Sequence, residues 1–142
     1  MTDKFDLNRF IVAQKNSYEN ALNEIKRGRK DSHWMWYIFP QYKGLGYSSM
    51  SKKYSISSEE EAMSFLSHPI LSARLIEITN AFFLLQNKDA YDVLGDSDYL
   101  KMKSCMTLFD LIQSEIDIFS KVLHKYYGGN HCFITRSKIE LR

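Results

Sequence analysis

The chain has 142 residues, the size of one domain able to bury about 70% of its unfolded surface, and its 44% hydrophobic content, with nine Tyr, nine Phe and two Trp, excludes a disordered chain. Its formal net charge of +2 falls short of the basic stripe of a dedicated nucleic-acid binder, but is compatible with a small anionic partner. The start MTDKFDLNRF has no apolar signal core and the longest apolar run, AFFLL after Asn80, is too short to span a bilayer, so the reading is of a cytoplasmic protein with no membrane partner and with Cys105 and Cys132 reduced.

Leu7, Phe10, Ile11, Gln14, Tyr18, Ala21, Leu22 and Ile25 recur at steps of three and four, the face of one helix. Asp3 or Asp6 can cap its start, Lys26 and Arg27 oppose the negative end of its dipole, and Gly28 stops it. Ser58 with Glu61 reads as a capping box, and Pro69 forces a break after Ser67 or His68. Pro69 then suits the first turn of a longer helix carrying Ile70, Leu71, Leu75, Ile78, Phe82 and Leu85. Asp89 can cap a short helix ending at Gly95. Asp96, Ser97 or Asp98 begins the next, with Leu100, Met102, Met106, Phe109 and Ile112 near one face. Ser114 is placed to cap a last helix bearing Ile116, Phe119, Val122, Leu123 and Tyr126, which Gly128 and Gly129 end. No strand run is as clear. The expectation is an all-α fold: a single compact helical domain over 1–142, with five or six helices, a core over about 5–129 and a C-terminal tail at 130–142. A long aromatic-rich connection over 31–57 packs inward, and loops of that length in compact domains are usually functional.

That connection holds most of the stretch GRKDSHWMWYIFPQYKGLGYSS, residues 28–49. Trp34, Trp36, Tyr37, Ile38 and Phe39 are too apolar for a solvated loop, so the segment must dive into the core. Pro40 removes a donor, Gln41 supplies an amide, and Gly44 and Gly46 permit close backbone approach, which together describe a pocket wall. Trp34, Trp36 and Phe39 can equally be a plug of the bundle. Polar His33, Lys30 and Gln41 within such a cluster need partners, and a ligand is one.

The pattern GRKxSHWMWxIFPQxxGLGxS, with EAxxxLxHPxLxxRL at 61–75 and KMKSCMTLF at 101–109, resembles the bacterial domain-of-unknown-function 1810 family over roughly 5–129. The resemblance implies a compact, largely helical fold and brings no activity. Some members carry the label calpastatin, which implies a calpain inhibitor, but such inhibitors are disordered and this composition is that of a globule. After Gly129 the sequence NHCFITRSKIELR departs from the family, which leaves the tail without an assigned role. There is also a more distant similarity to small helical proteins that handle NAD-derived ADP-ribose.

The family motifs bring together Lys30, Ser32, His33 and Gln41, then His68 and Arg74, then Lys101, Lys103, Ser104 and Thr107. Cations, hydroxyls and indole faces suit a nucleotide or sugar phosphate, since bases stack on aromatics and phosphates take charge-assisted bonds. The expected function is binding or processing of a small nucleotide-like ligand, related to NAD, ADP-ribose or a sugar phosphate. Its ligand contacts would be Trp34, Trp36, Gln41, Ser48, Arg74, Lys103, Ser104 and Thr107. For any catalysis His33 is the acid or base and Lys30 an electrostatic stabiliser or Schiff-base amine. The bland alternatives are a solvated face for Lys101 and Lys103 and satisfied backbone carbonyls for Ser104 and Thr107. The competing function is a non-catalytic module binding a protein or nucleic acid through exposed Trp34, Trp36 and Tyr47. No cofactor or metal is expected: His124, His131 and Cys132 match no ligand spacing, Cys105 reads as a buried helical cysteine, and GLG is too short for a phosphate loop.

Overall fold

The polypeptide enters its first helix through Asp3, whose carboxylate accepts the backbone N–H groups of Leu7 and Asn8 at 2.7 and 2.8 Å. The computed structural model describes residues 3–140. In order the helices are α1 (Asn8–Lys15), α2 (Tyr18–Arg27), α3 (Met35–Ile38), α4 (Ser49–Lys53), α5 (Glu59–Ser67), α6 (Pro69–Phe83), α7 (Ala90–Leu94), α8 (Asp98–Ile112), α9 (Ile118–Tyr127) and α10 (Phe133–Glu140). The fold is all-α. Among the described residues there is no strand, only an isolated parallel bridge between Tyr42 and Ile56, and no helix long and apolar enough to cross a membrane.

Among the described residues ten helices replace the five or six expected, for three local reasons. The single stripe from Leu7 to Ile25 is two helices, because Asn16 and Ser17 leave helical geometry (φ −106° and −125°). Asn and Ser offer the backbone competing hydrogen bonds, and the Ser17 hydroxyl accepts from Tyr37 Oη at 3.0 Å. The connection over 31–57 is not one irregular loop: it contains α3 and α4, the latter capped by Ser48, whose Oγ accepts from Ser51 N. The tail at 130–142 contains α10, which packs on α8.

Other termini follow the caps. Gly28 ends α2 in the left-handed region at φ 80°. His68 caps α6 through Nδ1, with Pro69 in the first turn, and Asp89 and Asp92 form a reciprocal capping box on α7. Ser58 caps α5 through the Glu61 N–H, but the Glu61 carboxylate does not complete the box. It turns to Ser57 and to a 2.7 Å ion pair with Arg9, tying α5 to α1. The N-cap of α9 is Asp117 rather than Ser114, one turn later than expected.

The core centres on α8, which packs against α5, α7, α9 and α10 and buries Met102, Cys105, Met106, Leu108 and Phe109. Phe109 lies between Phe65 of α5 and Phe119 of α9, with ring centroids 5.5 and 5.6 Å away. The α2 and α6 helices close a second side, and the 28–56 segment packs on α1 through α3 and is tied to α2 by Glu24 and to the start of α8 by the Lys30–Asp98 pair, with Trp34, Met35, Ile38, Phe39, Tyr42 and Ile56 buried.

Candidate functional site

The turn after α2 is organised by Glu24, a carboxylate only 1% exposed. Its Oε1 accepts from Asp31 N at 2.7 Å, Ser32 N at 2.8 Å and the Trp34 indole Nε1 at 3.0 Å. Its Oε2 accepts from Ser32 Oγ at 2.6 Å and Asn20 Nδ2 at 2.7 Å. Burial alone would raise this carboxyl. The hydrogen bonds from Ser32, Asp31 and Trp34 outweigh it and hold the group at about 2. Glu24 thus fixes where the chain turns toward Trp34.

Lys30 follows from that turn. Its Nζ pairs with Asp98 Oδ2 at 2.8 Å, donates to the Ser32 carbonyl and sits 4.9 Å from the Trp34 ring centre. The other Asp98 oxygen takes Lys101 Nζ at 2.9 Å, and that ammonium lies 4.5 Å from the ring centre of Trp36. Burial opposes ionisation of Asp98, but the bonds from Lys30 and Lys101 prevail and hold its carboxyl below the usual value. A cation–carboxylate–cation chain therefore links the two tryptophans and clamps the aromatic segment to the start of α8.

Beside this chain are two cavities that share Gln41 and Leu45. The first, about 280 Å³, lies under Trp36, Tyr42, Tyr47 and Tyr54, with Lys43 and Lys52 at its edge. The second, about 430 Å³, lies between the first half of α8 (Leu100, Lys101, Lys103, Ser104) and the start of α10 (Phe133, Ile134), with Cys132 in its wall. Gln41 is 4% exposed, and its Nε2 is buried with no hydrogen-bond partner. Buried amide donors are nearly always satisfied, so an orphan just behind the wall of two cavities requires an explanation.

The structure separates the expected site residues into groups. Trp36, Gln41, Lys103 and Ser104 line the cavities. Trp34 is 1% exposed and lines neither, its indole N–H being held by Glu24, so of the two tryptophans only Trp36 lines a cavity. Thr107 is fully buried, donating to the Lys103 carbonyl and accepting from Cys132 N at 2.8 Å. Ser48 is an exposed helix cap. Arg74 lies on α6, bonded to Gln14 Oε1 at 3.3 Å. His33 is exposed, with only its carbonyl engaged, by Tyr37 Oη. Lys30 is spent on Asp98 and faces a separate surface cavity with Lys88 and Asp92. Sequence reasoning missed Glu24, Asp98 as an ion-pair centre, and Cys132. Glu24 lies three residues from Ala21 at the border of the apolar stripe, the one pattern that could have marked it.

Gly46 lines the first cavity and packs tightly against Ser51 and Trp36. A Cβ there would stand 2.8 Å from Ser51 Cβ and 2.9 Å from Trp36 Cη2. Gly46→Ala is therefore expected to displace the Trp36 ring and to cost about 1–3 kcal/mol by overpacking, read as a lower urea midpoint together with a shifted Trp fluorescence maximum.

No curated protein matches the chain. The crystal structure of the conserved hypothetical protein Rv1873 from Mycobacterium tuberculosis is similar at 40% sequence identity, with a TM-score of 0.97, over 99% of this chain and 100% of that one. The family described as "Protein of unknown function (DUF1810)" matches residues 4–139, so the sequence after Gly129 does not depart from it as expected. The chain therefore belongs to the DUF1810 family.

Proposed function

We propose that this single-domain protein binds a small nucleotide-like anion, of the ADP-ribose or sugar-phosphate class, in the paired cavities around Gln41. The observation that carries the reading is Gln41: the residue lines both cavities, and its Nε2, buried just behind that wall, has no hydrogen-bond partner, so a turn of the amide would bring the donor to a ligand. A bound carbonyl, phosphate or ribose oxygen would satisfy it, and folding tolerates such an orphan most readily where a ligand repays it. The aromatic segment is the inward-packed wall: Trp36, Tyr42 and Tyr47 offer faces for a base, while Lys43, Lys52 and Lys103 offer charge for phosphate. The role is binding first, since His33 and Lys30 lie outside these cavities.

A thermal-shift screen with NAD, ADP-ribose, AMP and ribose 5-phosphate at millimolar concentration tests this. A ligand at 100 times its Kd adds about 2.7 kcal/mol, a shift of several degrees. No shift with any of the four would overturn the reading. The competing reading, an interaction module, loses the expected patch of Trp34, Trp36 and Tyr47, since Trp34 is buried, and draws instead on exposed Leu100, Phe133 and Ile134 at the rim of the second cavity, Phe133 being 81% exposed. It predicts instead no nucleotide response and a patch sensitive to Phe133→Ser.

A further inference from the structure

The formal net charge of +2 conceals an uneven distribution. Among the described residues neither of the two cavities has an aspartate or glutamate in its wall, although the chain carries 17 acidic residues. Three further surface depressions each hold a carboxylate: Asp3 in one, Asp6 and Glu61 in another, Asp92 in the third. The acid-free walls carry Lys43 and Lys52 in the first cavity and Lys101 and Lys103 in the second. Lys138 of α10 joins them, its Nζ standing 2.8 Å from where a Cβ on Gly44 would be, at the first cavity's edge. Lys101 is paired with Asp98, whereas Lys43, Lys52, Lys103 and Lys138 have no ion-pair partner among the described residues. Unneutralised cations along concave walls focus a positive potential into the space between them.

The cavities also adjoin in a row. The second and first share Gln41 and Leu45, and the first shares Lys52 and Ser55 with the depression beside Arg9 and Lys53, where Arg9 already takes Glu61 at 2.7 Å. Cations spread over adjoining cavities suit successive phosphates better than the single terminal phosphate of one nucleotide. An independent observation concerns the aromatics. Tyr47, on the rim of the first cavity, is 92% exposed, while Tyr42 and Tyr54 in its wall are buried. A ring left in water beside a row of lysines is what a strand of unpaired bases uses as a stacking platform, and a duplex, whose base faces are already stacked, cannot use it.

We propose that this face binds a single-stranded nucleic acid, with its phosphates on Lys43, Lys52, Lys103 and Lys138 and a base stacked on Tyr47. The inference deepens the nucleotide reading, making the ligand a nucleotide within a chain, and rests on the cavities named there being a ligand site. The small net charge then predicts weak, salt-sensitive binding without the affinity of a dedicated nucleic-acid binder.

The test is fluorescence anisotropy with fluorescein-labelled ten-mers of deoxythymidylate and of uridylate, titrated over a range of salt concentrations. Three or four phosphate contacts give a slope of log affinity against log salt of about −2 to −3. Lys43→Gln and Lys103→Gln should each make that slope shallower by about 0.7. Tyr47→Ala should weaken binding about tenfold and leave the slope unchanged. Lys88→Gln, in the depression that holds Asp92, should change neither. The tighter ten-mer assigns RNA or DNA, and equal affinities assign the backbone they share. Absence of binding by both, equal affinity for a ten-base-pair duplex or for deca-glutamate, or full affinity in Tyr47→Ala would each overturn the inference. The outcome is separable from the free-nucleotide reading. A thermal shift with a small nucleotide but no ten-mer binding overturns this inference alone; ten-mer binding with no small-nucleotide shift supports it and removes the free ligand.

Discussion

Glu24→Ala is expected to lower stability by about 3–5 kcal/mol, because several hydrogen bonds to a charged acceptor, each worth about 1.5–3 kcal/mol before the donors find water, are lost together. The substitution strips the acceptor from Asp31 N, Ser32 N, Ser32 Oγ, Asn20 Nδ2 and Trp34 Nε1 at once. The Trp34 indole N–H cannot reach water, because the residue is 1% exposed, so its desolvation is left uncompensated. At about 2–4 °C per kcal/mol or somewhat more for a chain this size, the melting temperature should fall by roughly 10 °C or more. The same carboxylate sets an acid limit. Its ordinary value is 4.5 and the fold holds it at about 2, so its contribution is fully present above pH 4.5 and is lost as pH falls toward 2. That contribution is about 3 kcal/mol by linkage. Urea melts of wild type between pH 6 and pH 3 should therefore show a decline that Glu24→Gln shows much less. Equal acid sensitivity in the two proteins would remove Glu24 as the organiser of the turn.

Asp98→Ala is expected to cost about 2–4 kcal/mol, because it leaves Lys30 and Lys101 facing each other with no carboxylate between them. Lys30 suffers most: its side chain is 7% exposed, and the Ser32 carbonyl and the Trp34 face cannot replace an anion. Lys101 is more open and can turn to solvent, leaving the Trp36 ring and loosening the wall of the second cavity. The double change Asp98→Ala with Lys30→Met should recover part of the loss, since it removes the stranded charge along with its partner. Denaturant melts of the two single variants and the double measure the coupling. Purely additive losses would show that the pair is not the clamp described.

The long periodic helices were legible because their stripes and caps agree. Pro69 after His68, Asp89 before Gly95 and the Asp3 cap all stand where local chemistry puts them. The break at Asn16 and Ser17 was not, because the apolar face continues in phase from Gln14 to Tyr18, both buried, and only the partner Tyr37 makes the interruption favourable. The short α3 and α4 turns lie below the length at which periodicity carries information. The burial of the aromatic segment and the need of Gln41 for a partner were readable from composition and turn chemistry. The role of Trp34 was not: stacking platform and buried strut use the same residue, and only the position of Glu24 decides between them. Lys30, read as reactive, is held by an aspartate 68 positions away, a pairing no local pattern encodes. Cys132 was hidden for the same reason, since its donor Ser104 comes from α8 and the tail could not be placed against that helix without the fold.

The central claim is that the unpartnered amide of Gln41 is kept for a ligand, and Gln41→Met tests it most directly. Methionine keeps the volume and removes the orphan donor, so unfolding free energy should stay level or rise by about 1 kcal/mol. Isothermal titration of wild type and Gln41→Met with the best-binding nucleotide of the four-compound screen is the measurement. The account predicts at least a tenfold weaker Kd in the variant with no loss of stability. Equal affinity in the two proteins, or a variant that binds as well and is merely less stable, would contradict it and return Gln41 to the core.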